Sequence, residues 1–236
     1  MAIRSSASAE RTTLPSMRTR IKFCGLVRAD DVRTAAALGV DAVGFVFYPQ
    51  SPRSLDVCSA AGLRRLLPSW VAAVGLFVNA PAGAIRRVTG AVGLDVIQFH
   101  GDEAANACEA ELPVGVSYWR AVRMRAAVDL IESFDRFASA EALLLDSHSL
   151  GYGGSGEGFD WSWIPRERSK PIVLSGGLAP GNVATAIAQV RPTMVDVSSG
   201  IQAGAPSPDP RAKSRERMER FVAEVLRADS AQQDSR

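Results

Sequence analysis

The stretch IKFCGLVRADDVRTAAALGVDAVGFVF, residues 21–47, holds one complete strand–helix–strand unit. Residues 21–24 form a short apolar run, and Asp30 and Asp31 then place carboxylates where the exposed amides of a helix's first turn attract negative charge. Gly39 ends that helix, and residues 42–47 make a second run rich in Val and Phe. The same alternation continues down the chain with a period of about 25 residues. Further strand candidates lie at 72–78, 95–99, 117–122, 142–145, 172–174 and 194–197. Between them Pro81 and Pro180 suit the first turn of a helix, the latter running to Val190. Residues 211–226 carry Met218, Phe221, Val222 and Val225 at helical spacing and close the chain as a last helix. Eight near-continuous apolar strands, each followed by a helix, predict a single parallel (β/α)8 TIM barrel of the α/β class rather than an open doubly wound sheet.

Length and composition agree. The chain has 236 residues, 47% apolar and 22% charged, which suits one folded core. Residues 1–18 lack an apolar segment and read as a disordered extension rather than a secretory signal; 19–228 read as the barrel domain and 229–236 as a polar, fraying tail. A formal charge of +2 without a basic run excludes a nucleic-acid partner. No apolar run reaches the roughly 20 residues of a membrane span. Cys24, Cys58 and Cys108 show no CxxC spacing, and His100 and His148 are the only imidazoles. Neither a disulfide framework nor a metal site is expected. The expectation is a cytoplasmic protein, monomeric or homodimeric.

In such a barrel, chemistry sits at the C-terminal strand ends. The polar residues there are Cys24, Tyr48 to Arg53, Asn79, Gln98, His100, Arg120, Arg123, Asp146, Ser175 and Asp196, with glycine-rich loops following the last strands. Cys24 has Lys22 two residues earlier, on the same strand face, where a cation lowers a thiol pKa and readies the sulfur as base or nucleophile. Asp146 leaves the wall at the end of a leucine run; partial desolvation there raises a carboxyl pKa and suits a general acid. Arg53 can grip a carboxylate in bidentate fashion. His100 reads as a hydrogen-bonding imidazole. Gly176, Gly177, Ser198, Ser199 and Gly200 end the seventh and eighth units, where backbone amides can approach a phosphate. The stretch GYGGSG at 151–156 matches GxGxxG literally, but it comes late and opens no long helix, so it reads as a glycine-hinged loop and not a dinucleotide site.

Taken together, IKFCGL (21–26), GVDAVGFVFYPQSPR (39–53), VGLFVN (74–79), LDVIQFHGDE (94–103), LLLD (143–146), GGSGEGFDW (153–161), LSGGL (174–178) and VDVSSG (195–200) resemble the phosphoribosylanthranilate isomerase family. The resemblance implies an Amadori rearrangement of N-(5-phosphoribosyl)anthranilate, in tryptophan biosynthesis, without metal or organic cofactor. It implies Asp146 as general acid and Cys24 as general base. Arg53 matches the family's contact to the anthranilate carboxylate and Asp196 its contact to the sugar hydroxyls, with Gln98 and His100 also at the substrate. Gly154, Ser155 and the two later glycine and serine loops match its phosphate site. Departures are Val27, Phe99 and Gln202, where the family usually has Thr, Leu and an acid, and the long segment 203–214. The rival readings are another phosphosugar barrel, such as a bifunctional isomerase, and a barrel that only binds a phosphorylated metabolite.

Overall fold

A computed structural model describes residues 18–81, 83–147, 158–204, 207 and 209–234. Eight parallel strands close into a barrel in chain order: β1 (Arg20–Cys24), β2 (Ala42–Val46), β3 (Ala72–Phe77), β4 (Val96–Phe99), β5 (Ser117–Met124), β6 (Ala142–Ser147), β7 (Ile172–Leu174) and β8 (Met194–Val197). Among the described residues, seven α-helices connect or follow them: α1 (Ala29–Ala37), α2 (Val57–Arg64), α3 (Ala84–Val92), α4 (Ala105–Glu111), α5 (Ala127–Arg136), α6 (Val183–Val190) and α7 (Arg215–Asp234). Between β6 and β7 the described residues hold only a 3-10 turn, Trp161–Trp163, capped by Asp160.

Side chains divide by strand parity. Ala42, Val74, Val96, Trp119, Ala121, Ala142, Leu144, Val173 and Met194 point into the barrel and form its inner core. The alternate residues, including Phe23, Phe45, Phe77, Ile97, Leu143, Leu145 and Val195, pack outward under the helices. Continuing the inner rows upward gives Gln98 after Val96, Asp146 after Leu144 and Asp196 after Met194. The polar groups of the site are thus the top storey of a wall that is apolar below.

Several expected boundaries move. Pro81 lies in the turn before α3, because Gly83 at φ 72° is the residue from which the helix starts. Pro180 likewise precedes α6; Asn182 braces that turn, accepting from Ala179 N–H at 2.8 Å and donating to Gly177 O at 2.9 Å. The last helix starts at Arg215, not Arg211, since Ala203 N–H bonds Ala212 O and Lys213 N–H bonds Asp31, which fixes the preceding segment as an irregular strap. Ser214 then accepts from Arg217 N–H at the helix start. At its far end α7 runs to Asp234 instead of fraying from Asp229. Asp229 accepts two bonds from Thr19, to N–H at 2.8 Å and to Oγ1 at 2.7 Å, clamping the first strand to the last helix. Arg18, assigned to the extension, pairs with Asp41 at 2.7 Å and belongs to the fold. Residues 1–17 lie outside the described residues.

Candidate active site

The C-terminal mouth of the barrel opens into a cleft lined by Cys24, Arg53, Gln98, His100, Asp146, Gly176, Gly177, Asp196, Ser198 and Ser199, among others. Cys24 and Asp146 come from β1 and β6. Each stands at the end of an inward row, so backbone pairing alone carries both into the same mouth. Gly154 and Ser155 lie outside the described residues. Gly200 sits behind the cleft in a 3-10 turn, Ser199–Ile201, where an added Cβ would come within 2.0 Å of Leu178 O.

Two glycines shape the walls beside the reactive groups. A Cβ on Gly44 would lie 2.7 Å from Cys24 Sγ, so only glycine on β2 leaves the thiol its place. A Cβ on Gly176, at φ +76°, would lie 2.5 Å from Ser147 N and 3.2 Å from Asp146 Oδ1. That glycine lets the seventh loop pass against the carboxyl group.

The Cys24 thiol is not lowered as expected. Burial pushes it above its ordinary value; the Lys22 ammonium pulls it down, the Asp196 carboxylate pushes it up, and Lys213 pulls it down again. Desolvation of the thiolate outweighs the cations. Lys22 itself is fully buried, with its Nζ 2.9 Å from Asp196 Oδ1 and 3.0 Å from Gln98 Oε1. Burial alone would lower it, but Asp196 and Cys24 together hold its ammonium above the ordinary lysine value.

Asp146 is buried. Its Oδ1 accepts from Ser147 N–H at 2.9 Å and its Oδ2 faces His100 Nε2 at 3.1 Å. Asp196 Oδ2 accepts from Ser175 Oγ at 3.3 Å. Arg53 lies over Gly25, and its Nη2 donates to Gln202 Oε1. A neutral amide satisfies that donor without cancelling the cation. Arg53 Nε is buried with no partner, an orphan donor of the kind that an anionic ligand completes.

Not every polar strand end serves the cleft. Arg120 pairs with Glu103 at 2.6 Å and Gly101 O at 2.8 Å, and Arg123 pairs with Asp102. Asn79, at φ 46°, accepts from Asp102 N–H. These residues bind the loop after β4 to its neighbours. Conversely, Lys213 was missed. Its Nζ donates to Ser198 O at 2.8 Å, and burial and the nearby Arg53 push its pKa down to about 8. It lies in the irregular segment 203–214, where no periodicity marks it; its only signal in the sequence is a lone lysine among prolines.

The family model for N-(5'-phosphoribosyl)anthranilate (PRA) isomerase matches residues 21–207. The chain belongs to this family. An N-(5'-phosphoribosyl)anthranilate isomerase from Ralstonia nicotianae is 49% identical over 228 residues, covering 92% of this chain and 97% of the relative. One from Methylibium petroleiphilum is 48% identical over 214 residues, 91% and 97% of the two chains. The crystal structure of phosphoribosyl anthranilate isomerase from Thermotoga maritima superimposes with a TM-score of 0.80 at 37% identity, covering 88% of this chain and 98% of that one. A phosphoribosyl anthranilate isomerase in complex with reduced 1-(o-carboxyphenylamino)-1-deoxyribulose 5-phosphate superimposes at 0.77 with 34% identity, again over 88% and 98%. Among isomerases of this family, the present chain thus keeps the barrel over nearly the whole length of the solved relatives.

Proposed function

We propose that this family member catalyses the Amadori rearrangement of N-(5-phosphoribosyl)anthranilate to 1-(2-carboxyphenylamino)-1-deoxyribulose 5-phosphate, with Asp146 as general acid and Cys24 as general base. The observation that carries the assignment is the meeting of one carboxyl and one thiol in a single buried mouth, between a cation and two glycine–serine loops.

Asp146 donates its proton to the ribose ring oxygen as the C1–O bond breaks, and the anilino nitrogen lone pair forms the C1=N iminium. Cys24, as thiolate, removes the C2 proton. The C–H electrons form C1=C2 and neutralise the iminium, giving the enolamine. Loss of the O2 proton and protonation at C1 then yield the ketone. One turnover leaves Cys24 protonated and Asp146 ionised, and exchange with solvent restores both. A buried thiolate with a raised pKa is scarce but strongly basic, and Lys22 beside it favours its formation. The unpartnered Arg53 Nε suits the anthranilate carboxylate, and Asp196 suits a sugar hydroxyl. Gly176 and Gly177, both at positive φ, with Ser198 and Ser199, suit the phosphate. Gln98 and His100 form the wall beneath.

The test is to supply fresh N-(5-phosphoribosyl)anthranilate to the purified chain and follow its anthranilate fluorescence. The signal should disappear in proportion to enzyme; absence of turnover would return the chain to the class of metabolite-binding barrels. Arg53→Ala should chiefly raise KM, because its contact exists before and during the reaction, and an unchanged KM would remove Arg53 from the substrate. The protein is further assigned to the cytoplasm, as a monomer or a homodimer. Sedimentation decides the latter, a solved Thermotoga maritima relative being described as dimeric.

A further inference from the structure

The polar groups below the cleft are joined in one direction. A lysine ammonium has no acceptor, so the atom of Gln98 that meets Lys22 Nζ at 3.0 Å must be the amide oxygen. The amide nitrogen then meets His100 Nδ1 at 2.9 Å, and since an NH2 group only donates there, Nδ1 must carry a lone pair. A neutral imidazole with Nδ1 free has its proton on Nε2, the atom 3.1 Å from Asp146 Oδ2. Three successive donors therefore point the same way, from Lys22 through Gln98 and His100 to Asp146, across the barrel from β1 to β6. Lys22 cannot turn its end of this chain around, because its remaining donors hold Asp196 and the Cys24 sulfur.

We propose that Lys22 and Gln98 are positioning residues that lock His100 in its Nε2–H tautomer, and that this lock orients the Asp146 carboxyl by holding its Oδ2. Oδ2 then accepts from His100 Nε2 and Oδ1 from Ser147 N–H, which together fix the plane of the carboxyl with Oδ1 beside Gly176 in the cleft wall. The same ammonium that favours the Cys24 thiolate thereby orients the acid. This inference rests on Asp146 being the general acid, but the tautomer can be read without any turnover.

The chain has two histidines, His100 and His148, so a ¹⁵N-labelled sample and a His148→Gln variant suffice to assign the ring signals. Long-range ¹H–¹⁵N correlation at about pH 7.5 should show His100 protonated at Nε2 alone; an Nδ1–H tautomer or an imidazolium would overturn the proposal. Lys22→Met leaves Asp196 charged and buried, which can prevent folding, so Gln98→Glu is the informative variant. A carboxylate accepts from both sides, hence Nδ1 must take a proton and the direction of the chain fails. The expected result is a His100 proton moved to Nδ1, or gained there, with kcat down at least about tenfold. An unchanged tautomer, or an altered one with wild-type kcat, would refute the positioning role. If the folded wild type shows the tautomer but no turnover at all, the functional assignment fails while the lock stands.

Discussion

At the scale of single residues, the site depends on what surrounds the reactive atoms more than on the atoms themselves. Cys24 has its thiol pushed up by burial in spite of two nearby ammonium groups. Its ionisation, followed by thiolate absorbance as the difference between wild type and Cys24→Ser, should therefore occur above the ordinary thiol range; titration below it would contradict the balance drawn here. Gly44 is the second case. An added methyl would stand 2.7 Å from Cys24 Sγ and 3.2 Å from its Cα, so the thiol must give way. Gly44→Ala should lower kcat at least about tenfold in a chain that still folds, since a misplacement of about 1 Å can cost as much as a hundredfold. A wild-type kcat would mean that the sulfur is free to move. The candidate residues themselves were legible in the sequence because strand parity puts Cys24, Gln98, Asp146 and Asp196 on inward rows. The balance of burial against charge at Cys24 was not, because it depends on Asp196 and Lys213, which are distant in the chain.

At the scale of elements, the strands were far more legible than the helix starts. β7 and β8 fall where their apolar runs lie, because a buried parallel strand leaves its whole length apolar. Pro81 and Pro180 misled because proline fits a turn before a helix as well as the first helical position, and here Gly83 and Asn182 make the actual entries. The end of α7 was misjudged from its polarity, although Ala228 is buried and Gln232 donates to Ile187 O. Its clamp gives a prediction at this scale. Asp229→Ala removes both bonds to Thr19 and should cost about 2 kcal/mol in a urea titration, with kcat unchanged. A loss in kcat as large as the catalytic variants show would instead tie α7 to the chemistry.

At the scale of the whole molecule, an apolar barrel floor carries a charged top storey, and the cost of burying those charges appears as a pH dependence of stability. Lys213 has its folded pKa pushed to about 8 from 10.5. Below about pH 8 both folded and unfolded chains hold its proton and the fold bears the burial penalty. Between the two values only the unfolded chain is protonated, so the contribution of Lys213 to folding improves as pH rises. The stability of wild type relative to Lys213→Met should thus shift in favour of wild type by about 2–3 kcal/mol from about pH 7.5 to about 10; a flat difference would contradict the lowered pKa. The central claim concerns the two groups that face each other across this mouth. Its most direct test is kcat for Cys24→Ala and for Asp146→Asn on N-(5-phosphoribosyl)anthranilate, read by loss of anthranilate fluorescence. Each folded variant is expected to fall by at least about a hundredfold, the scale of a lost general acid or base, whereas near-wild-type turnover in either would contradict the assignment.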